Sequence, residues 1–191
     1  NLTDELYFLT AIYDGIPGDP DNAKGTHIKL DDGDGIFYIN EIGVAGADDH
    51  YYKYAVGSWY HSAEFEDFAA LFRNDNKGIY FLAERDITRD KDGQGTGVFV
   101  QVGVADGDRN QVGGYLGIGM TNTGLLPGRP EDVAGIAIAN ASNSGDFRTL
   151  NAGVDRSETA IELSYLIAPA PWLTIQPDVQ YIINPGMDPG V

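Results

Sequence analysis

Three histidines, His27, His50 and His61, are the chain's whole supply of near-neutral proton carriers, and it has no cysteine. Thiolate nucleophiles, zinc–thiolate sites and disulfides are therefore excluded. No Gly-x-Ser-x-Gly elbow and no glycine-rich phosphate loop is present, so acyl transfer and nucleotide chemistry lack their usual frames. Carboxylates are abundant, 29 Asp and Glu in 191 residues. A glycosidase pair could be drawn from them, but the separation such a pair needs is a distance in space that sequence does not display. Asp32, Asp34, Gly35 and Glu41 match positions 3, 5, 6 and 12 of a calcium-binding EF-hand loop. Leu30 stands where the first ligand is required and a strand follows in place of a helix, so no metal ligand is assigned. Asp90-Lys91-Asp92-Gly93 reads as a solvated turn. No catalytic residue, metal or cofactor is expected.

The elements that would carry any site are strands. In Glu158–Gly186, Ile161, Leu163, Tyr165 and Ile167 fall on one face while Ala160, Glu162, Ser164 and Leu166 fall on the other, a strict period of two. After Ala168-Pro169-Ala170-Pro171 the pattern restarts, with Leu173, Ile175, Pro177, Val179, Tyr181 and Ile183 opposing Thr174, Gln176, Asp178 and Gln180. Each strand is about ten residues, whereas soluble strands run nearer five or six and a tilted membrane-crossing strand needs about ten. Tyr165, Trp172 and Tyr181 lie toward the strand ends, where amphipathic rings favour a membrane interface. The pattern fits a hairpin of an outer-membrane barrel and equally a long hairpin of a soluble, secreted β-sandwich that binds polysaccharide.

The same period predicts strands over Glu5–Tyr13, Gly35–Val44, Tyr51–Ser62, Lys77–Ile87, Thr96–Ala105, Gln111–Asn122 and Asp132–Ala141, about nine in all. Asn40 is the one misfit on the apolar face of Gly35–Val44. In Lys77–Ile87 the adjacent Glu84, Arg85 and Asp86 leave the inward face undetermined. Ala63–Asn76 has apolar spacing that predicts a loop with a short helix. Long connections at 14–33, 63–76 and 142–157 alternate with short ones at 45–50, 89–95, 123–131 and 168–171, and only the short turn 106–110 falls on the long-loop side. Such sorting belongs to outer-membrane barrels, and a sandwich has no reason to show it.

Composition narrows the partners. A net charge of -17 is incompatible with electrostatic binding of nucleic acid. No apolar run approaches the roughly 18 to 20 residues of a transmembrane helix. A mean hydropathy of -0.23 suits a soluble protein and a barrel alike.

Specific stretches carry a family resemblance. TNTGLLPGRPEDVAGIAIANAS at Thr121–Ser142 and ETAIELSYLIAPAPWLTIQPDVQYIINPG at Glu158–Gly186 resemble the closing strands of the carbohydrate-selective porin family, OprB. DGIPGDPDNAKGTHIKL and YKYAVGSWYHSAEFED resemble its middle portion. The resemblance implies an all-β, antiparallel transmembrane β-barrel of sixteen strands in the bacterial outer membrane, passing mono- or oligosaccharides passively, with outer-membrane lipid around it and, by analogy only, a homo-oligomeric state. Residues 1–191 are then expected to be one barrel segment lacking roughly the N-terminal half and the last strand, because unpaired strand edges are costly in lipid.

A sugar pore needs polar side chains that exchange hydrogen bonds with hydroxyls, aromatic faces on which sugar C–H surfaces rest, and affinity low enough for release. Candidates on the polar faces of the strands are Glu41, Lys53, Trp59, His61, Gln101, Tyr115, Glu162, Gln176, Asp178 and Gln180. Trp59 stands out, since it sits between Lys53 and His61 away from the apolar face.

Overall fold

The computed structural model describes residues 4–18, 22, 33–47, 50–73 and 75–187. The chain runs through β1 (Leu6–Asp14), β2 (Ile36–Gly46), β3 (Tyr52–His61), the two-residue β4 (Phe65–Glu66) and β5 (Phe72–Arg73), β6 (Asn76–Arg89), β7 (Gly95–Ala105), β8 (Val112–Thr123) and β9 (Val133–Asn143). A short helix α1 (Gly145–Leu150) precedes β10 (Ser157–Ala170), β11 (Leu173–Ile175) and β12 (Asp178–Ile183). All but β4 and β5 join one ten-stranded sheet in the order β1-β2-β3-β6-β7-β8-β9-β10-β11, with β12 also on β10. Every pairing is antiparallel between chain neighbours. Since β11 and β12 share one lane along β10, the sheet has the expected nine lanes, open at β1 and at that last lane.

Register fixes two faces, because directly paired residues point the same way. One row runs Leu6, Val44, Tyr54, Ala83, Val100, Ile118, Ile138, Ile161 and Tyr181. No second layer among the described residues covers this apolar face: Ile42, Ile118, Ile138 and Leu163 are 43 to 61 % exposed. Among the described residues the buried apolar side chains are Ala55 and Met187 alone. A soluble sandwich would need an opposing sheet and a core between the two, and the described residues form neither. The apolar band also drifts across the register. It reaches Phe8 and Ile12 on β1 but Ile136 and Leu163 on β9 and β10, as tilted strands crossing a flat layer require. No helix among the described residues is long and apolar enough to cross a membrane, which bears on helices alone.

The misfit Asn40 is satisfied by a neighbour: its amide donates to Ser58 Oγ at 3.0 Å, the residue opposite it in register. β6 acquires its parity from its partners, which place Asn76, Gly78, Tyr80, Leu82, Glu84 and Asp86 on the polar face. Two local expectations are corrected. The described residues of 63–75 hold the small β4–β5 hairpin in place of a helix, because the Asp67 carboxylate accepts the Ala69 and Leu71 N–H groups and pins a turn in which Ala70 has φ +60°. A helix appears in the next long loop instead, where Ser144 caps Phe147 N. The strand expected over 173–183 is interrupted at Gln176-Pro177, where proline has no N–H to donate and its carbonyl accepts Tyr165 N–H at 3.1 Å.

Candidate functional site

The polar face is built from small residues and aromatics in a repeated arrangement. Tyr7 is paired with Gly43, Trp59 with Gly78, Tyr80 with Gly57, and Phe99 with Gly119. In each pair the ring lies over the glycine: a Cβ on Gly57 would sit 2.1 Å from Tyr80 Cζ, one on Gly119 2.4 Å from Phe99 Cε1, and one on Gly78 2.5 Å from Trp59 Nε1. The glycines let large rings lie flat along the sheet, leaving their other faces to the interior. Tyr115 lies over Gly117 of its own strand in the same way.

At one end of β1–β3 these rings become a cluster. Phe37 packs on Tyr13, Trp59 and His61 at 6.4, 6.1 and 6.0 Å between centroids, and His61 meets Phe65 edge-on at 5.0 Å. The Ala63 N–H donates to His61 Nδ1, so Nε2 carries the ring proton and donates to the Gly15 carbonyl at 3.0 Å. His61 thereby ties the long loop after β1 to the end of β3.

Deeper on the same face Glu41 is a hub. Tyr7 and Tyr80 hydroxyls donate to its two oxygens at 2.7 and 3.0 Å, and Lys53 Nζ lies 3.4 Å away. With only 9 % exposure and its oxygens engaged, Glu41 cross-links β1, β2, β3 and β6. Lys53 also stands 5.7 Å over the Tyr7 ring.

Both rims are braced. At the long-loop end Arg109 binds the Asp75 carboxylate at 2.8 Å and the Asp75 carbonyl, with Asp108 at 3.2 Å. Asn76 and Asn110 exchange amide hydrogen bonds, and Phe68 packs on Phe147 at 5.5 Å, joining three long-end loops. The Lys77 and Arg109 donors hold the Asp75 carboxyl below its ordinary pKa, Lys77 first. At the short-turn end Asp132, 2 % exposed, accepts from Arg129 Nε at 2.7 Å, Tyr165 Oη at 2.9 Å and Ala168 N at 3.1 Å. Burial opposes its charge, yet these donors outweigh burial and hold its carboxyl below the usual value.

Register sets Glu41, Lys53, Trp59, His61, Gln101, Tyr115, Glu162, Asp178 and Gln180 on this single face. Gln176 lies in the break, but Ile167 opposite Ile175 and Ser164 opposite Asp178 keep one register across it, which puts Gln176 opposite Leu166 on the same side. Glu162 and Gln180 bond to each other at 2.7 Å. Sequence reasoning missed Tyr7, Tyr80, Glu84 and Phe99; the available signal was that glycines share their face of the neighbouring strands. Leu30 and Asp32 of the EF-hand-like run, and His27, lie outside the described residues. Among the described residues no group of three or more His, Asp or Glu side chains is placed to hold a metal ion.

Comparison with known proteins agrees with this geometry. A family model described as "Carbohydrate-selective porin, OprB family" matches residues 1–188. Porin B of Pseudomonas aeruginosa strain PAO1 is 24 % identical over 222 residues, covering 97 % of this chain and 49 % of that protein. The solved structure of Pseudomonas putida OprB at high pH superposes with a TM-score of 0.86 at 22 % identity, over 100 % of this chain and 54 % of that one. The chain spans about half the length of both.

Proposed function

Because the chain belongs to the OprB family of carbohydrate-selective porins, we propose that it forms part of the wall of an outer-membrane pore through which carbohydrates diffuse passively. The observation that carries this reading is the one-layer sheet with a bare apolar face and a polar face of glycine-seated rings. The apolar face meets outer-membrane lipid, which needs no second protein layer. The polar face lines water. The long-loop end is the outer mouth and the short-turn end the periplasmic one.

The lining suits a solute that is polar at its edges and apolar on its ring faces. Flat rings such as Trp59 and Tyr80 offer C–H contact with a sugar, and amides and carboxylates exchange hydrogen bonds with its hydroxyls. No bond is made or broken and no cofactor takes part. Glu41 and Lys53 act as internal ties of the wall, so that the rings above Gly43 and Gly57 stay flat and the path stays open. The acidic composition, net charge -17, disfavours anionic solutes.

Liposome swelling tests this directly. Barrels containing the chain, extracted in detergent and reconstituted, should let neutral sugars in at rates that fall with sugar size. A protein that is monomeric without detergent, or liposomes that conduct ions and exclude every sugar, would refute it.

A further inference from the structure

We propose that the polar face carries a subsite for a single pyranose ring near the periplasmic end, formed by Tyr51, Glu84, Asp86, Phe99, Gln101 and Thr121. The cavity there holds about 260 Å³, below the roughly 300–1,000 Å³ of drug-sized pockets, which suits one sugar unit. The inference rests on the porin reading above and names where along the path, and for which sugars, the wall makes contact.

Four adjacent strands, β3, β6, β7 and β8, build or flank the cavity, well away from both open edges of the sheet. Phe99 supplies a flat platform over Gly119. Beside it Gly97 leaves a gap: a Cβ there would meet Thr121 Oγ1 at 3.3 Å and Asp86 Oδ1 at 3.4 Å. The gap thus exposes one hydroxyl and one carboxylate oxygen on either side of a bare backbone. A β-bulge between Asp86 and Thr88 directly follows, a device that re-aims side chains at functional places.

Hydrogen-bond capacity here is unspent, in contrast with Glu41. Asp86 Oδ2 is used by the Tyr51 N–H at 3.2 Å and Arg89 Nη1 at 2.9 Å, which fixes the carboxylate and leaves Oδ1 toward the gap. Tyr51 Oη donates to Glu84 Oε2 at 3.2 Å. The side chains of Gln101 and Thr121 have no protein partner among the described residues. Lys53, paired in register with Glu84, is turned to Glu41 at 3.4 Å. An aromatic platform ringed by two acceptor carboxylates, an amide and a hydroxyl fits the C–H face and hydroxyl edge of a pyranose. Arg85 also borders the cavity, but its pairing with Val98 turns its side chain to the apolar face. The two carboxylates therefore meet a sugar with no free cation among the described residues on their own face, and favour neutral and amino sugars over uronic acids.

The test is block of single-channel ion current by D-glucose, D-glucosamine or D-glucuronate added on the periplasmic side. Block should be weakest with glucuronate. Phe99→Leu should weaken glucose block about tenfold, and Gln101→Leu and Thr121→Val should weaken it severalfold, while Ile118→Val on the lipid face leaves it unchanged. Glu84→Gln should raise block by glucuronate relative to glucosamine. Should Phe99→Leu not assemble, the other two variants carry the test. Glucose block unchanged in the assembled variants, in a barrel that still passes sugar, overturns the subsite alone; absence of sugar flux in the unaltered barrel overturns the porin reading.

Discussion

Adding one methyl group at Gly57 should disturb the wall more than its size suggests. The new Cβ of Gly57→Ala would lie 2.1 Å from Tyr80 Cζ and 2.3 Å from its hydroxyl oxygen, so the ring must leave its seat. It can swing into the pore, because it is the free end of a side chain, but it then gives up the 3.0 Å bond to Glu41. A hydrogen bond to a charged acceptor contributes about 1.5–3 kcal/mol, and overpacking costs about 1–3 kcal/mol. Lumen water re-solvates both freed groups and the ring escapes the clash by moving, so the two do not simply add. The expected loss is about 1–3 kcal/mol in urea unfolding of the reconstituted barrel. A double-mutant cycle isolates the cause. In a Tyr80→Ala background the seat is vacant and Gly57→Ala should cost almost nothing. The open-channel current should also fall in Gly57→Ala and recover in the double variant. Equal cost in both backgrounds, or no cost in either, would refute the idea that the glycine exists to seat the ring.

Other expectations test the faces and the rims. Val100→Arg should destabilise by about 2–4 kcal/mol if it faces the bilayer centre, while Gln101→Arg next to it should be nearly neutral; equal costs in an unfolding titration would mean the faces are misassigned. Trp59→Ala should weaken sugar block of the current and leave heat-modifiable gel mobility intact, and loss of assembly would instead make Trp59 a purely structural residue. For Asp132 the folded carboxyl lies below its unfolded value, so its anchoring is complete above the unfolded value and is lost as pH falls through the folded one. The unfolding midpoints of the parent and Asp132→Asn should therefore differ near neutrality and converge on acidification; a gap that stays constant with pH would contradict this.

Glycine is usually a weak strand residue. Here Gly43, Gly57, Gly78 and Gly119 each sit under the ring of a directly paired residue, so the backbone they leave bare is covered by the neighbouring strand. The device serves two ends at once. It covers the bare ladder with the neighbouring strand's ring, and it lays bulky rings along the sheet, which in the proposed pore would keep them out of the path.

The alternation of side chains is a property of each strand by itself, so the sequence sufficed for the strand positions, the apolar and polar faces of most of them, and the sorting of long and short connections. Family resemblance in Thr121–Ser142 and Glu158–Gly186 rests likewise on contiguous residues. What joins strands is not contiguous. Tyr7 and Tyr80 lie 34 and 39 residues from Glu41, and no local pattern shows that they converge on it or that Glu41 is thereby a tie within the wall. The parity of β6 was illegible for the same reason: three adjacent charged residues cancel the alternation, and only pairing with β3 and β7 decides which of them face inward. In 63–76 and 142–157, single capping side chains, Asp67 and Ser144, outweighed apolar spacing and exchanged the expected places of turn and helix. The cavity over Gly97 is the furthest from sequence, since it consists of an absent side chain bounded by Asp86 and Thr121 on two other strands, and register alone brings those together.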